Sequence, residues 1–478
     1  MRFATVPLVA ACLLTPFTSA LAQTSRNVQL LGTFSPGDRA SDVWGYYDPT
    51  TGTELALLGT FAGTYIVDCT DPTQPTEIAL IPTDSPFSSG NRWQDLKTYD
   101  TYAYVVSEAY GGVQIIDLSD PMQPTKVRTW GASMWFNAHN IAIDVGAGFA
   151  YVCGTSSGTH ILDLRTNPAN PTLVTTLSTP YIHDLSIQDG MAHVAEINSN
   201  RLSLYDVSGL PSLPQVSSVR SAGSASCHST WPSRDNQIVA VCHETSGGQL
   251  VVYDVSVPRL PRVLSIYQTG GSSAIVHNPM VQHRVVHISW NTEGYQALDL
   301  SNPSNPIRVG FYDTWPGPSS GFNGMWGVFV GQPSGVVYGS DRDLGLFVLD
   351  PACQPSRYGG PSAGSATPEL WAFGAAWNGN GNFRIDIEDA PTQQPGVLLL
   401  SAAPADLTFR GLRILVDLTA PNLAIPIATD ASGMAQVPLP IAEGTGTGTL
   451  YAQGFVADGA GPFGFSATGG LAFDVFLP

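Results

Sequence analysis

The sequence predicts an all-β protein, a closed ring of repeated four-stranded units followed by a β-sandwich, and three observations carry that prediction. The first is composition. With 49 Gly and 37 Pro in 478 residues, 12% charged and 43% apolar, the chain is unsuited to long helices or coiled coils, and too apolar for disorder or collagen. The second is an internal repeat: Ile66-Val67-Asp68-Cys69-Thr70-Asp71-Pro72 returns as Ile115-Ile116-Asp117-Leu118-Ser119-Asp120-Pro121. It recurs around Asp163, Asp206, Asp254, Asp299 and Asp350, with spacings of 49, 46, 43, 48, 45 and 51 residues. A period in the forties with several strand-like segments per repeat is the signature of a β-propeller. The third lies at the ends. The seventh repeat runs into Pro351, Cys353 and Pro355 after three strands, while residues 28–34 resemble residues 307–311, the fourth strand of repeat six. A seven-bladed β-propeller closed by its N-terminal strand follows, and closure removes the edges that invite aggregation.

In chain order, Arg2, the apolar stretch from Val6 to Leu14 and Ala20-Leu21-Ala22 make residues 1–22 a signal peptide. The protein is therefore expected to be exported, extracellular or at the cell surface. Val9-Ala10-Ala11-Cys12 has the form of a lipoprotein box but comes too early to follow a full apolar core. No later run reaches the roughly 20 apolar residues of a membrane span, so no transmembrane segment is expected. Residues 23–353 form the propeller. Each repeat parses into four strands, in the second at 93–98, 102–107, 113–118 and 125–130, and the repeated aspartate sits in an Asx-turn before strand four. Residues 354–368, rich in Gly, Ser, Pro and Ala, read as a linker. Residues 369–478 hold seven short strand-like segments and no cysteine, hence the C-terminal β-sandwich.

Cleavage of the leader removes Cys12 and leaves five of the six cysteines. Cys227 and Cys242 could bridge neighbouring strands, Cys69 and Cys353 could staple the ring at its seam, and Cys153 reads as a buried thiol.

The Ile/Leu-x-Asp-x-Ser-Asp-Pro-x-x-Pro pattern resembles the LVIVD repeat. The wider run from Ser41-Asp42-Val43-Trp44-Gly45-Tyr46 through Asp95-Leu96-Lys97-Thr98-Tyr99 and His139-Asn140-Ile141 to Gly345-Leu346-Phe347-Val348-Leu349 is similar to the choice-of-anchor B family. The resemblance spans roughly residues 28–353. It implies a bacterial exported or cell-surface β-propeller joined to a C-terminal anchoring module, and implies no particular reaction.

A net charge of −18 argues against nucleic acid and anionic membranes as partners. In a propeller the first strand of each blade lines the central channel. The corresponding positions read Asp42, Asp95, His139-Asn140, His183-Asp184, His228-Ser229, His277-Asn278 and Asn323. Loops between strands two and three add Glu108, Glu196, His243-Glu244, Asn291 and Asp341 to the same face. His139, His183, His228 and His277 are candidate ligands for a divalent metal ion, because neutral imidazole supplies nitrogen and a nearby carboxylate the compensating charge. Asp42, Asp95, Asn140, Asp184, Asn278, Asn323, Glu108, Glu196 and Glu244 are the candidate binding residues around them. The competing reading is structural, in which these groups bond neighbouring blades and ordered water.

Phe87, Trp93, Trp130, Trp135, Phe136 and Trp315 are candidate stacking platforms for a glycan or peptide, or else packing between blades. No P-loop, dinucleotide fingerprint, His-Glu-x-x-His or paired CxxC occurs. The Gly-x-Ser-x-Gly strings at 154–158, 317–321 and 360–364 read as turns, since no helix is expected after them. The expected function is an exported binding or scaffold protein recognising a protein, glycan, small-molecule ligand or ion at the channel mouth. The alternative is a metal-dependent hydrolase or oxidoreductase using the channel histidines, with Glu108, Glu196 or Glu244 as base.

Overall fold

The computed structural model describes residues 24–84, 93–178, 180–270, 273–319 and 321–478. The proposed signal peptide and Phe87 lie outside these residues. Among the described residues the protein is all-β, with one 3₁₀ turn at Pro462–Gly464, and no helix is long and apolar enough to cross a membrane.

Burial follows strand composition. The second strand of the first repeat, Thr53–Thr60, is apolar and wholly buried, whereas the alternately polar Thr125–Trp130, a fourth strand, lies largely at the surface. Among the described residues before position 352, six antiparallel sheets have four strands and one has five. Their first strands, Ala40–Asp48, Gln94–Tyr99, Asn140–Asp144, Asp184–Gln188, Cys227–Pro232, Pro279–Gln282 and Met325–Phe329, contact one another in succession. The last touches the first, so the series is closed. These sheets are consistent with propeller blades.

Val28–Phe34 pairs antiparallel with Gly345–Pro351 and completes the last sheet. Ser25–Arg26, which the sequence did not reveal as a strand, pairs with Ile307–Tyr312 of the preceding sheet. Between them Asn27 turns the chain at φ 54°, a left-handed value asparagine tolerates. Its Nδ2 donates to Val309 O at 2.9 Å and to Leu477 O at 2.7 Å, so one side chain ties the start of the ring to the end of the chain.

Six of the repeated aspartates, at 68, 117, 163, 206, 254 and 299, accept the backbone N–H two residues ahead at 2.6–3.0 Å. At the seventh, Asp350, the N–H of Ala352 goes instead to Asn27 O, because the chain's start supplies the next strand.

The stretch composed like a linker is not slack throughout. Ser356–Tyr358 forms a strand paired with Gly470–Val475, Arg357 lies over Trp371 at 4.5 Å, and Tyr358 Oη donates to Leu415 O at 2.7 Å. Beyond it, Leu370, Ile385 and Val437 from one sheet share an apolar core with Leu398, Ala452 and Phe473 from another. Asp299 of the ring meets this module directly. Its Oδ2 accepts from Ala375 N at 2.7 Å, Asn380 Nδ2 at 3.0 Å and Trp377 Nε1 at 3.1 Å.

Cys69, Cys153, Cys227, Cys242 and Cys353 are all free and buried, so neither disulfide suggested by the sequence is present. Cys227 and Cys242 belong to different apolar clusters on opposite faces of their sheet. Cys69 and Cys353 bond the hydroxyls of Tyr338 and Tyr295, and burial pushes both thiols up to about 12. A thiol reagent such as Ellman's should therefore label none of them in the native protein and five after denaturation, or six if Cys12 is retained. Native labelling at any of the five would contradict this packing.

His287 is fully buried, with Nδ1 2.6 Å from Tyr295 Oη, and burial pulls it from 6.5 down to about 3. Below pH 6.5 the unfolded chain takes up a proton that the folded chain refuses. The stability tied to this group is complete above 6.5 and drains away as pH falls toward 3. Relative to a His287→Gln variant, the wild type should lose about 2–3 kcal/mol between pH 7.5 and 4.5, read from urea midpoints. Parallel curves for the two proteins would refute it.

Candidate metal centre at the channel mouth

Backbone pairing sets the histidines at the inner strand starts: His139 N bonds Cys153 O, His183 N bonds Ala195 O and His277 N bonds Ser289 O, at 3.0–3.1 Å. Their rings form a continuous arc, with centroids 4.0 Å apart from His139 to His183, then 4.4 Å to His228 and 4.4 Å to His277. Trp326 extends the arc at 3.9 Å and stacks on Trp93 at 4.5 Å.

A relay of backbone carbonyls fixes the imidazoles. His183 Nδ1 donates to His228 O at 3.1 Å, His228 Nδ1 to His277 O at 3.1 Å and His277 Nδ1 to Trp326 O at 2.7 Å. A carbonyl only accepts, so each Nδ1 carries the proton and each Nε2 keeps its lone pair. This is the orientation that metal-binding histidines require of their surroundings. The Nε2 atoms of His228 and His277 are buried without a hydrogen-bond partner. They face the Glu244 carboxylate at 3.7 Å and 3.5 Å, beyond good hydrogen-bond length yet suited to two atoms ligating one ion. Two overlapping donor sets result, His139/His183/His228 and His228/Glu244/His277, with the atoms of each within 4.8 Å of one another.

Burial keeps two of these imidazoles in ligating form. Burial lowers His228 to about 3 and holds His183 well below its usual value, aided by the neighbouring imidazoles. His139 differs from its neighbours: burial lowers it, yet the Glu108 carboxylate, 2.5 Å from its Nδ1, raises it overall.

Alternate residues on the same strands build a second layer. Asp42, Asn140, Asp184 and Asn278 surround a small cavity together with Lys97. Lys97 Nζ bonds Asp95 Oδ1 at 2.6 Å, lies 3.9 Å from Asp42 and sits over the Trp44 ring at 4.4 Å. Asp95 Oδ2 also accepts Ile141 N at 2.8 Å. Burial, then Asp95, pushes Asp184 up to about 7 and Asp42 well above its usual value. With a single ammonium among these carboxyls, Asp184 and Asp42 are driven toward their neutral forms. Gly327 leaves Asp42 its place, because any Cβ there would collide with Asp42 Oδ1.

Three segments match the LVIVD repeat, at residues 92–130, 137–179 and 288–314. These LVIVD segments carry Asp95, Lys97, Glu108, His139 and Asn140 of the channel and the turn aspartates 117, 163 and 299. Their repeated framework thus positions part of the site. No curated protein matches the chain.

The remaining predicted residues are placed elsewhere. Glu196 turns into its own sheet, accepting from Ser203 Oγ at 2.6 Å and Ser199 Oγ at 2.7 Å. Asn323 precedes strand Met325–Phe329, and Trp326 takes the place equivalent to the histidines. His243 is satisfied by Ser221 and Ser224. Trp135 is buried against His160 and Trp130, whereas Phe136 is 79% exposed. The first Gly-x-Ser-x-Gly string is a turn between strands Phe149–Cys153 and Thr159–Asp163.

Sequence reasoning missed Lys97 and Trp326, though both had signals. Lys97 lies two residues after Asp95 and so shares its strand face, and Trp326 lies 49 residues beyond His277, the interval separating His228 from His277.

Proposed function

We propose that this protein is an exported seven-bladed β-propeller, with a C-terminal β-sandwich, that binds a divalent transition-metal ion at its channel mouth. The observation that carries the reading is the pair of buried, unpartnered Nε2 atoms of His228 and His277 facing the Glu244 carboxylate. Both imidazoles have their protons committed to backbone carbonyls. Buried polar atoms rarely stay unpaired, and two imidazoles with one carboxylate are a ligand set for zinc, iron or related ions. His183 and His139 continue the arc beyond this set.

The competing structural reading places ordered water on the Nε2 atoms in the ion's stead. A glycan platform is less supported, because Trp93 and Trp135 are engaged in packing. A metal-dependent enzyme is the second reading, favoured by Glu108–His139, an acid-base pair beside the His228/Glu244/His277 set. The similarity to choice-of-anchor B proteins supports a location at the cell surface.

Elemental analysis of untagged protein purified without chelator should find about one transition-metal ion per chain. Added Zn²⁺ or Co²⁺ should raise the melting temperature of chelator-stripped protein. Metal-free protein with no thermal response would end this reading.

A further inference from the structure

Arg342 lies beside this centre and is only 7% exposed. Its guanidinium sits over Trp93 at 4.6 Å and over Trp326 at 5.0 Å, the indole that continues the histidine arc. Its Nη1 donates to Phe322 O, but its Nε is buried without a hydrogen-bond partner. Among the described residues no carboxylate forms an ion pair with it. Asp343, Asp341 and Glu244 lie near enough to favour its charge without pairing with it: Asp343 bonds Arg39 at 3.2 Å, Asp341 Oδ1 accepts the N–H groups of Asp343 and Leu344, and Glu244 faces the two histidines. Buried charges are ordinarily paired, since removing an ion from water without a counter-charge is costly. Two tryptophan faces offset part of that cost and leave the Nε–H without an acceptor among the described residues.

We propose that Arg342 anchors the oxyanion of a small carboxylate- or phosphate-bearing ligand that the metal ion of the collar also binds. This rests on the metal reading above, because the His228/His277/Glu244 set fills three positions and leaves others open. Guanidinium is the side chain best matched to a planar or tetrahedral oxyanion. Asn291 adds a second buried and unpartnered polar group nearby: its carbonyl accepts Met325 N, and the next residue back, Gly324, accepts Arg342 N.

The test uses full-length protein, chelator-stripped and then loaded with Co²⁺, whose visible bands report coordination. Inorganic phosphate and acetate are titrated separately, so that the two arms distinguish phosphate from carboxylate. At least one anion should perturb the Co²⁺ bands, and its affinity should fall by about tenfold or more in Arg342→Gln with Co²⁺ affinity retained. Arg342→Lys, which keeps the charge, should recover part of the loss and serves if the glutamine variant does not fold. Equal anion affinity in wild type and Arg342→Gln, or no response to either anion, overturns the proposal. Absence of Co²⁺ bands in wild type overturns the metal reading instead. Calorimetric titration of metal-free protein with phosphate then decides for Arg342 by the same tenfold criterion.

Discussion

Replacing Asp299 with alanine should release the C-terminal module from the ring while leaving the ring folded. Asp299 is 2% exposed; its Oδ1 accepts Ser301 N at 2.6 Å, and its Oδ2 accepts the three donors of the module. Burial raises its pKa even against these hydrogen bonds, a sign of how far it lies from water. Alanine leaves the Ala375 N–H, the Asn380 amide and the Trp377 indole N–H without their acceptor. At roughly 1–3 kcal/mol for each buried donor left unmade, docking should weaken by about 4 kcal/mol or more. Limited proteolysis should show faster cleavage within residues 354–368, and thermal unfolding should separate into two transitions. Asp299→Asn keeps an acceptor oxygen and should fall between the two. A variant with the wild-type digestion pattern and a single unchanged transition would show that the module is held by other contacts.

The second large effect is expected at His228, the residue shared by both donor sets. Its loss also removes one of the two side-chain donors to His277 O, the other being Ser229 Oγ, while its own backbone carbonyl still accepts from His183 Nδ1. His228→Ala should weaken Co²⁺ or Zn²⁺ binding by about two orders of magnitude or more, measured by competition with a chromophoric chelator. Glu196→Gln is the control, since Glu196 bonds serines of its own sheet and should leave metal affinity unchanged. If both variants bind metal like the wild type, the collar histidines are structural.

Much of the architecture was legible because it repeats. The strand-and-turn period and the turn aspartates are local chemistry copied along the chain, and the pairing of Val28–Phe34 with Gly345–Pro351 could be inferred from one repeat lacking a strand and one strand lacking a repeat. Ser25–Arg26 was not legible, since two polar residues carry no strand pattern and pair only because the ring presents an edge there. The disulfides were misjudged because closeness in sequence does not say which face of a sheet a side chain takes. At the site, the arc of histidines was readable from equivalent positions. That Glu196 turns away while Glu244 reaches the arc depends on side-chain direction in loops of different length. Arg342 escaped notice because its unpartnered Nε is a property of its surroundings rather than of its own sequence.

Asn27 and the two strands flanking it also bear on how the molecule is made. Synthesis delivers Val28–Phe34 first, yet its partner Gly345–Pro351 appears more than 300 residues later. At ribosomal rates of about 5–20 residues per second, that leaves an unpaired strand waiting for on the order of tens of seconds. Contacts so distant in sequence are slow to form, and an open edge in the interval can pair with another chain. The ring can thus close only after its last strand is made, and it closes on its oldest segment. A molecule held apart from its copies until that moment, by a chaperone or by transport in an unfolded state, would reach the closed form with fewer wrong partners.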